Sequence, residues 1–284
     1  MAILFSKKQV PYAHWEVIHV DTGDRLRIVP ERGGLITEWC CKGREILYFD
    51  LERFKQTEKS VRGGIPILFP ICGDLPGNIL KLDNQEYSIN QHGFARNSSW
   101  TINLLEGQST FSISLSDDEK TRALYPYSFL LNIEIRLERN SIDFTINVHN
   151  KSPNQMPFTF GLHPYFNVTD LKKTKLHGLA PTCFDHIKKI DGPTEDQLGR
   201  LPKGVDFITG PSKSVALVDL LTGSSLEMQQ EVPFDLTVVW TDPPRQMVCL
   251  EPWTSPRESL INGKRRLSLD PGTKQTLNCR LKIN

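Results

Sequence analysis

Apolar and polar residues alternate strictly along two consecutive stretches in the middle of the chain. Leu131, Ile133, Ile135 and Leu137 interleave with Asn132, Glu134, Arg136 and Glu138. After Arg139-Asn140 the alternation resumes, with Ile142, Phe144, Ile146 and Val148 set between Asp143, Thr145, Asn147 and His149. A period of two puts every second side chain on the same face of a strand, so the pair predicts a β-hairpin with one dry and one wet face. The same period recurs at Phe111-Ile113-Leu115 and at Leu277-Cys279-Leu281-Ile283. Shorter β-like runs cover Leu26 to Val29, Leu236 to Trp240 and Met247 to Leu250. No window carries a capped apolar stripe of helical period, and short helices are predicted only over Leu51 to Lys59 and Asp117 to Leu124. Glycine and proline, 19 of each, punctuate the whole chain into short segments. No low-complexity linker and no fixed repeat divides it. The pattern predicts one domain over residues 1–284, an all-β antiparallel sandwich.

Composition narrows what such a sandwich does. The 284 residues carry 34 Lys+Arg against 33 Asp+Glu, so there is no general cationic surface for nucleic acid or an anionic membrane. The longest apolar run, Ile65 to Cys72, contains two prolines and falls well short of the roughly 20 residues that span a bilayer. Lys7 and Lys8 interrupt the apolar start of the chain too early for a secretory segment, so a cytoplasmic location is expected. The cysteines Cys40, Cys41, Cys72, Cys183, Cys249 and Cys279 show neither C-x-x-C pairing nor zinc spacing with histidine. They read as reduced, mostly buried thiols, and no metal is expected.

Four stretches are too rich in glycine, proline and aromatics for plain strands: 61–70, 91–96, 160–166 and 248–253. Each sets a His, Arg or Glu among them. Glu251 follows the run Met247 to Leu250 and precedes Pro252, which places its carboxylate at a strand end among apolar neighbours that raise its pKa. Such a carboxylate is a general base near neutral pH, and His163, also before a proline, is a natural acid partner. Trp253, Phe94 and Tyr165 offer flat apolar surfaces for the C–H face of a sugar, and Arg62 and Arg96 offer fork-shaped donors to hydroxyls or a phosphate. Read singly, each has an ordinary alternative: a structural histidine, a solvated strand end, a turn, a surface ion pair.

Read together, Arg62-Gly63-Gly64-Ile65-Pro66-Ile67-Leu68-Phe69-Pro70, Gln91-His92-Gly93-Phe94-Ala95-Arg96, His163-Pro164-Tyr165-Phe166 and Cys249-Leu250-Glu251-Pro252-Trp253 resemble, in this order, the aldose 1-epimerase (galactose mutarotase-like) family. The hexose-6-phosphate mutarotase and bacterial aldose-epimerase-like branches are the most similar. The resemblance implies a β-supersandwich of two large antiparallel sheets with a sugar bound on a concave face. It implies Glu251 as the base at the anomeric hydroxyl and His163 as the acid at the ring oxygen, with the roles exchanged on closure. It further implies His92 as a sugar-binding residue, Arg62, Gln91 and Arg96 as holders of the substrate and its phosphate, and Asp206 as a hydrogen-bond partner of sugar hydroxyls. No cofactor is implied, and the partner is a small sugar or sugar phosphate.

The branch signals are mixed. Ile71-Cys72-Gly73 stands where the phosphate-using branch carries a polar residue such as Gln, and Glu251-Pro252-Trp253-Thr254 resembles the branch for free sugars, whereas Arg62 and Arg96 point to phosphate. Arg257, Lys264, Arg265 and Arg266 are expected either as a basic rim near Glu251 or as a solvated loop. Two other classes fit the residues: a non-catalytic carbohydrate-binding protein, and a glycoside hydrolase using Asp206 with Glu251 as its two carboxylates.

Overall fold

The computed structural model describes residues 3–82, 85–104 and 109–284. The predicted hairpin forms as the strands Phe129–Glu138 and Ser141–Asn150, with Ile133 opposite Ile146 and Ile135 opposite Phe144. Apolar residues therefore face apolar residues across the ladder, and all eight alternating positions from Leu131 to Val148 are buried. Asn140 closes the two-residue turn at φ 62°, a left-handed conformation that asparagine tolerates.

This hairpin lies at the heart of an eight-stranded antiparallel sheet. Lys274–Ile283 pairs on one side and Thr110–Ser116 on the other. A second eight-stranded sheet contains Val205–Thr209, Leu236–Thr241 and Met247–Trp253 as neighbours, with Tyr165–Asn167 also paired to Met247–Trp253. The two sheets face each other across one apolar cluster. It joins Ile133, Phe144 and Ile146 of the first sheet to Phe207, Val239, Val248 and Leu250 of the second.

A five-stranded meander over residues 3–45 adds a third layer, of which only Leu26 to Val29 is readable as a strand from the alternation. Its anchor to the central hairpin is the buried Asp24, whose carboxylate accepts from the backbone N–H groups of Lys42 and Asn140. Both predicted helices are present but shorter. Leu51–Phe54 is capped by Asp50 and buries only Phe54, so nothing holds a helix together beyond that point. Glu119–Leu124 starts from Asp118, which forms a reciprocal cap with Thr121.

One strand matters most for the chemistry. Met247–Trp253 is buried at every position, and its residues divide by parity. Val248 and Leu250 enter the inter-sheet core, while Met247, Cys249 and Trp253 belong to separate clusters on the other face, the face that carries Glu251. Contrary to the expected strand end, the ladder runs through Pro252, which sits opposite Thr237, to Trp253 opposite Leu236. Proline donates no hydrogen bond, but its fixed φ suits extended backbone.

Truncation on the core side of this strand tests its role as the platform. Leu250→Ala is expected to lower stability by about 2–5 kcal/mol, read as a reduced urea midpoint at unchanged m value.

Candidate active site

A cavity of about 160 Å³ on the outer face of the second sheet is lined by all seven residues expected from the sequence: Arg62, Gln91, His92, Arg96, His163, Asp206 and Glu251. They come from five separate segments of the chain, which the sheet and its loops bring together.

Glu251 is 1% exposed. One carboxylate oxygen lies 3.3 Å from Nε2 of His163, and the other accepts the Trp253 indole N–H at 3.1 Å. His163 interrupts two short strands, Gly161–Leu162 and Tyr165–Asn167, and its backbone N–H donates to the carbonyl of Pro66. Its ring stacks on Tyr165 at 4.7 Å between centroids, 11° from parallel, which fixes the imidazole plane. Nδ1 of His163 is buried without a hydrogen-bond partner among the described residues.

His92 is held by its neighbours' backbone. It sits at φ 67°, its N–H donates to the Gly73 carbonyl at 2.6 Å, and the Gly73 N–H donates to its Nδ1 at 3.1 Å. An Nδ1 that accepts leaves the hydrogen on Nε2. The following Gly93 is obligatory: it adopts φ +72°, and a Cβ there would lie 2.1 Å from the carbonyl oxygen of Phe69. Gly73 is equally constrained, because a Cβ would lie 2.3 Å from Cγ of Arg257, whose stem crosses it.

Arg257 is the one member of the predicted basic rim that reaches the cavity. It donates to Asp206 at 2.8 Å and to Asp74 at 3.2 Å. On its other oxygen Asp206 meets Nδ1 of His186 at 2.7 Å. Lys264 and Arg265 line neighbouring cavities instead, and Arg265 pairs with Asp235. Arg62 lies over the Trp240 ring, 5.5 Å from its centroid, and Arg96 donates to the backbone carbonyl of Gln91 at 2.7 Å. Among the described residues neither Arg62 nor Arg96 forms a salt bridge with a carboxylate.

Of the three aromatic platforms expected, Trp253 and Tyr165 line the cavity. Phe94 does not. It is buried in the inter-sheet core and stacks on Phe129 at 5.9 Å, because the tight turn at Gly93 directs the next side chain inward. Trp240 takes the place the sequence assigned to Phe94, and His186 joins the site as the partner of Asp206. Nothing in the local sequence marks His186, which reaches Asp206 only through pairing of the strands Thr182–Asp185 and Val205–Thr209.

Burial dominates the electrostatics. Glu251 is pushed well above the usual carboxylate range by desolvation, reinforced by the negative charge of Asp206, although the Trp253 N–H opposes it. Desolvation drives His163 down to about 3, helped by the positive charge of Arg96. His92 is lowered by the same cause, with His163 and the arginines adding to it, so its neutral Nε2–H form stands. Asp206 resists desolvation: the hydrogen bond from His186 and the charge of Arg257 hold it below its ordinary range. The pocket thus sets one carboxylate shifted down against one carboxyl shifted up beside a histidine shifted down, among three guanidinium groups. One ligand atom each from His163, Cys249 and Glu251 lies within 4.8 Å of the other two.

Known proteins resemble this chain along most of its length. The family model described as Aldose 1-epimerase matches residues 16–282. A protein of Cenchrus ciliaris provisionally named glucose-6-phosphate 1-epimerase is 29% identical over 203 residues, covering 66% of this chain and 58% of its own length. A protein of the same provisional name from Salmonella typhimurium is 26% identical over 182 residues, covering 62% and 57%. The matches therefore span under two thirds of those relatives. The crystal structure of the Slr1438 protein from Synechocystis sp. PCC 6803 superposes with a TM-score of 0.92 at 30% identity, covering 100% of this chain and 99% of that one. A galactose mutarotase related enzyme from Lactobacillus acidophilus shares the fold, with a TM-score of 0.79 at 21% identity over 95% of this chain and 97% of that one.

Two measurements follow from the buried pair. The His163 ring resonances, assigned by their loss in His163→Asn, are expected not to titrate near 6.5, the ordinary histidine value. Second, a carboxyl whose folded pKa is raised contributes stability below its unfolded pKa and loses it as pH rises through the folded value. Glu251→Gln is therefore expected to raise Tm, by little near pH 4 and progressively more as pH rises, in thermal unfolding followed by circular dichroism.

Proposed function

The chain belongs to the aldose 1-epimerase family, and we propose that it interconverts the α and β anomers of a hexose, preferentially a hexose 6-phosphate, by acid/base ring opening and closure. The observation that carries this reading is the His163–Glu251 pair, 3.3 Å apart at the floor of the pocket, holding one proton between two groups of opposite preference. That proton rests on Glu251 while the pocket is dry, and the gap is short enough for it to pass to Nε2 of His163. In the resulting carboxylate–imidazolium form, Glu251 takes the proton of the C1 hydroxyl as His163 delivers its own to the ring oxygen. The C1–O5 bond breaks, C1 becomes the aldehyde, and rotation about C1–C2 presents its other face. The ring closes with both transfers reversed, so no net proton is gained or lost, and the chemistry draws on no redox step.

The other groups bind and orient. His92 offers a fixed Nε2–H to a sugar oxygen. Asp206, ionised and held by His186 and Arg257, accepts from sugar hydroxyls. Trp240, Trp253 and Tyr165 supply apolar walls. The phosphate preference is supported by Arg62 and Arg96, two cations of the pocket that no described carboxylate neutralises and whose forks match a phosphate. The relatives provisionally named glucose-6-phosphate 1-epimerase point the same way.

Anomer exchange measured by NMR magnetisation transfer on glucose 6-phosphate, glucose and galactose, each against its buffer-only rate, tests both parts. Acceleration is expected with all or some of these sugars and to be largest with the phosphate ester. Glu251→Gln is expected to cut it by at least about 10²-fold. Retained exchange in that variant overturns the mechanism, equal rates for glucose and its phosphate return Arg62 and Arg96 to hydroxyl binding, and saturable binding without acceleration makes the chain a sugar-binding protein.

A further inference from the structure

Cys249 takes no part in the proposed proton transfers, yet it stands beside the groups that do. It is fully buried on the pocket-side face of its strand, two residues from Glu251 and directly across the ladder from Tyr165, on whose ring His163 stacks. One ligand atom from each of His163, Cys249 and Glu251 falls within 4.8 Å of the others. Imidazole nitrogen, thiolate sulfur and carboxylate oxygen are a mixed donor set suited to zinc and its thiophilic neighbours.

The spacing of two of these groups matches that of two ligands on one ion. A charge-assisted N–H···O bond closes to about 2.7–2.9 Å, whereas His163 Nε2 and Glu251 Oε1 stand 3.3 Å apart. Two ligands each about 2.0–2.1 Å from a tetrahedral zinc ion are separated by about 3.3 Å. The Cys249 sulfur lies within 4.8 Å of a His163 ring nitrogen and a Glu251 carboxylate oxygen.

We propose that His163, Cys249 and Glu251 form a binding site for a thiophilic divalent cation such as Zn²⁺, and that its occupancy switches the acid/base pair off. The inhibition rests on the role proposed for His163 and Glu251; the binding does not. On ligation the Cys249 thiol and the Glu251 carboxyl each release a proton to solvent. The two negative charges that result balance the ion despite the arginines of the pocket. The three side chains fill three positions of a tetrahedron, and the fourth faces the cavity, where the ion and the sugar compete.

Co²⁺ and Zn²⁺ serve as probes of the full chain. Titration with Co²⁺ is expected to give a thiolate-to-cobalt absorption band in the near ultraviolet, saturating at one equivalent, that is lost in Cys249→Ala. Zn²⁺ is expected to slow anomer exchange in the wild type. Cys249→Ala, with its metal-free rate kept, is expected to need at least ~10-fold more Zn²⁺ for the same inhibition, since even partners beyond the ligands are worth about 10–100-fold in metal affinity. Cys249→Ser controls for the loss of volume and is expected to lose the same band.

A wild type without the band, or a wild type and variant equally sensitive to Zn²⁺, overturns the proposal. A Cys249-dependent band in a protein that accelerates exchange of no sugar upholds the metal site and sinks the epimerase reading. Catalysed exchange with no band does the reverse.

Discussion

Keeping a carboxyl group dry is the constraint around which this molecule is arranged. Glu251 projects from a strand whose opposite face is inter-sheet core, so water reaches it from one side only, through a pocket walled by Trp253, Trp240 and Tyr165. A charge there is poorly solvated, and burial pushes the carboxyl well above its usual range. The same dryness strips His163 of its affinity for a proton. Each group alone is an unfavourable burial. Together they place a raised carboxyl against a lowered imidazole, and in the proposed mechanism the bound sugar's oxygens must offset the cost of moving a proton from the first to the second.

The second carboxylate shows how selectively the effect is applied. Asp206 lies in the same cavity and suffers the same desolvation, yet it stays ionised because His186 and Arg257 each occupy one of its oxygens. Two acids in one pocket thus differ in charge because one has cationic or N–H partners on both oxygens and the other has an indole and a neutral imidazole. Asp206 also raises Glu251 further, so one carboxylate of the pocket tunes the other.

Much of this was legible in the sequence, and the failures share a cause. The period-two alternation gives the central hairpin in its register, because each face meets a uniform environment. The seven site residues converge because their motifs are runs in which glycines permit close approach and prolines set the chain direction. Phe94 was misplaced because its motif neighbours point to the pocket, while its own direction depends on a left-handed turn at Gly93 whose sense the sequence does not state. His186 and Trp240 join the site through strand pairing, a long-range property with no mark in the local sequence. The basic cluster after Glu251 read as one rim, but only Arg257 crosses Gly73 into the cavity. At the departure over Ile71-Cys72-Gly73, Cys72 is buried in an apolar cluster with Leu68 and Trp253.

The latch between His92 and Gly73 reaches beyond the histidine itself. Because the Gly73 N–H fills Nδ1, the ring meets the substrate only as a donor. Asp206, ionised, meets it only as an acceptor. A hydroxyl touched by His92 must therefore point its own hydrogen away, and one touched by Asp206 must point its hydrogen inward. The two residues give the chain of hydroxyl dipoles around a bound sugar a direction. If a sugar binds as proposed, an epimer with one hydroxyl inverted would break that chain at a single link, and recognition would then rest on the sense in which hydrogens run around the ring as well as on the ring's shape.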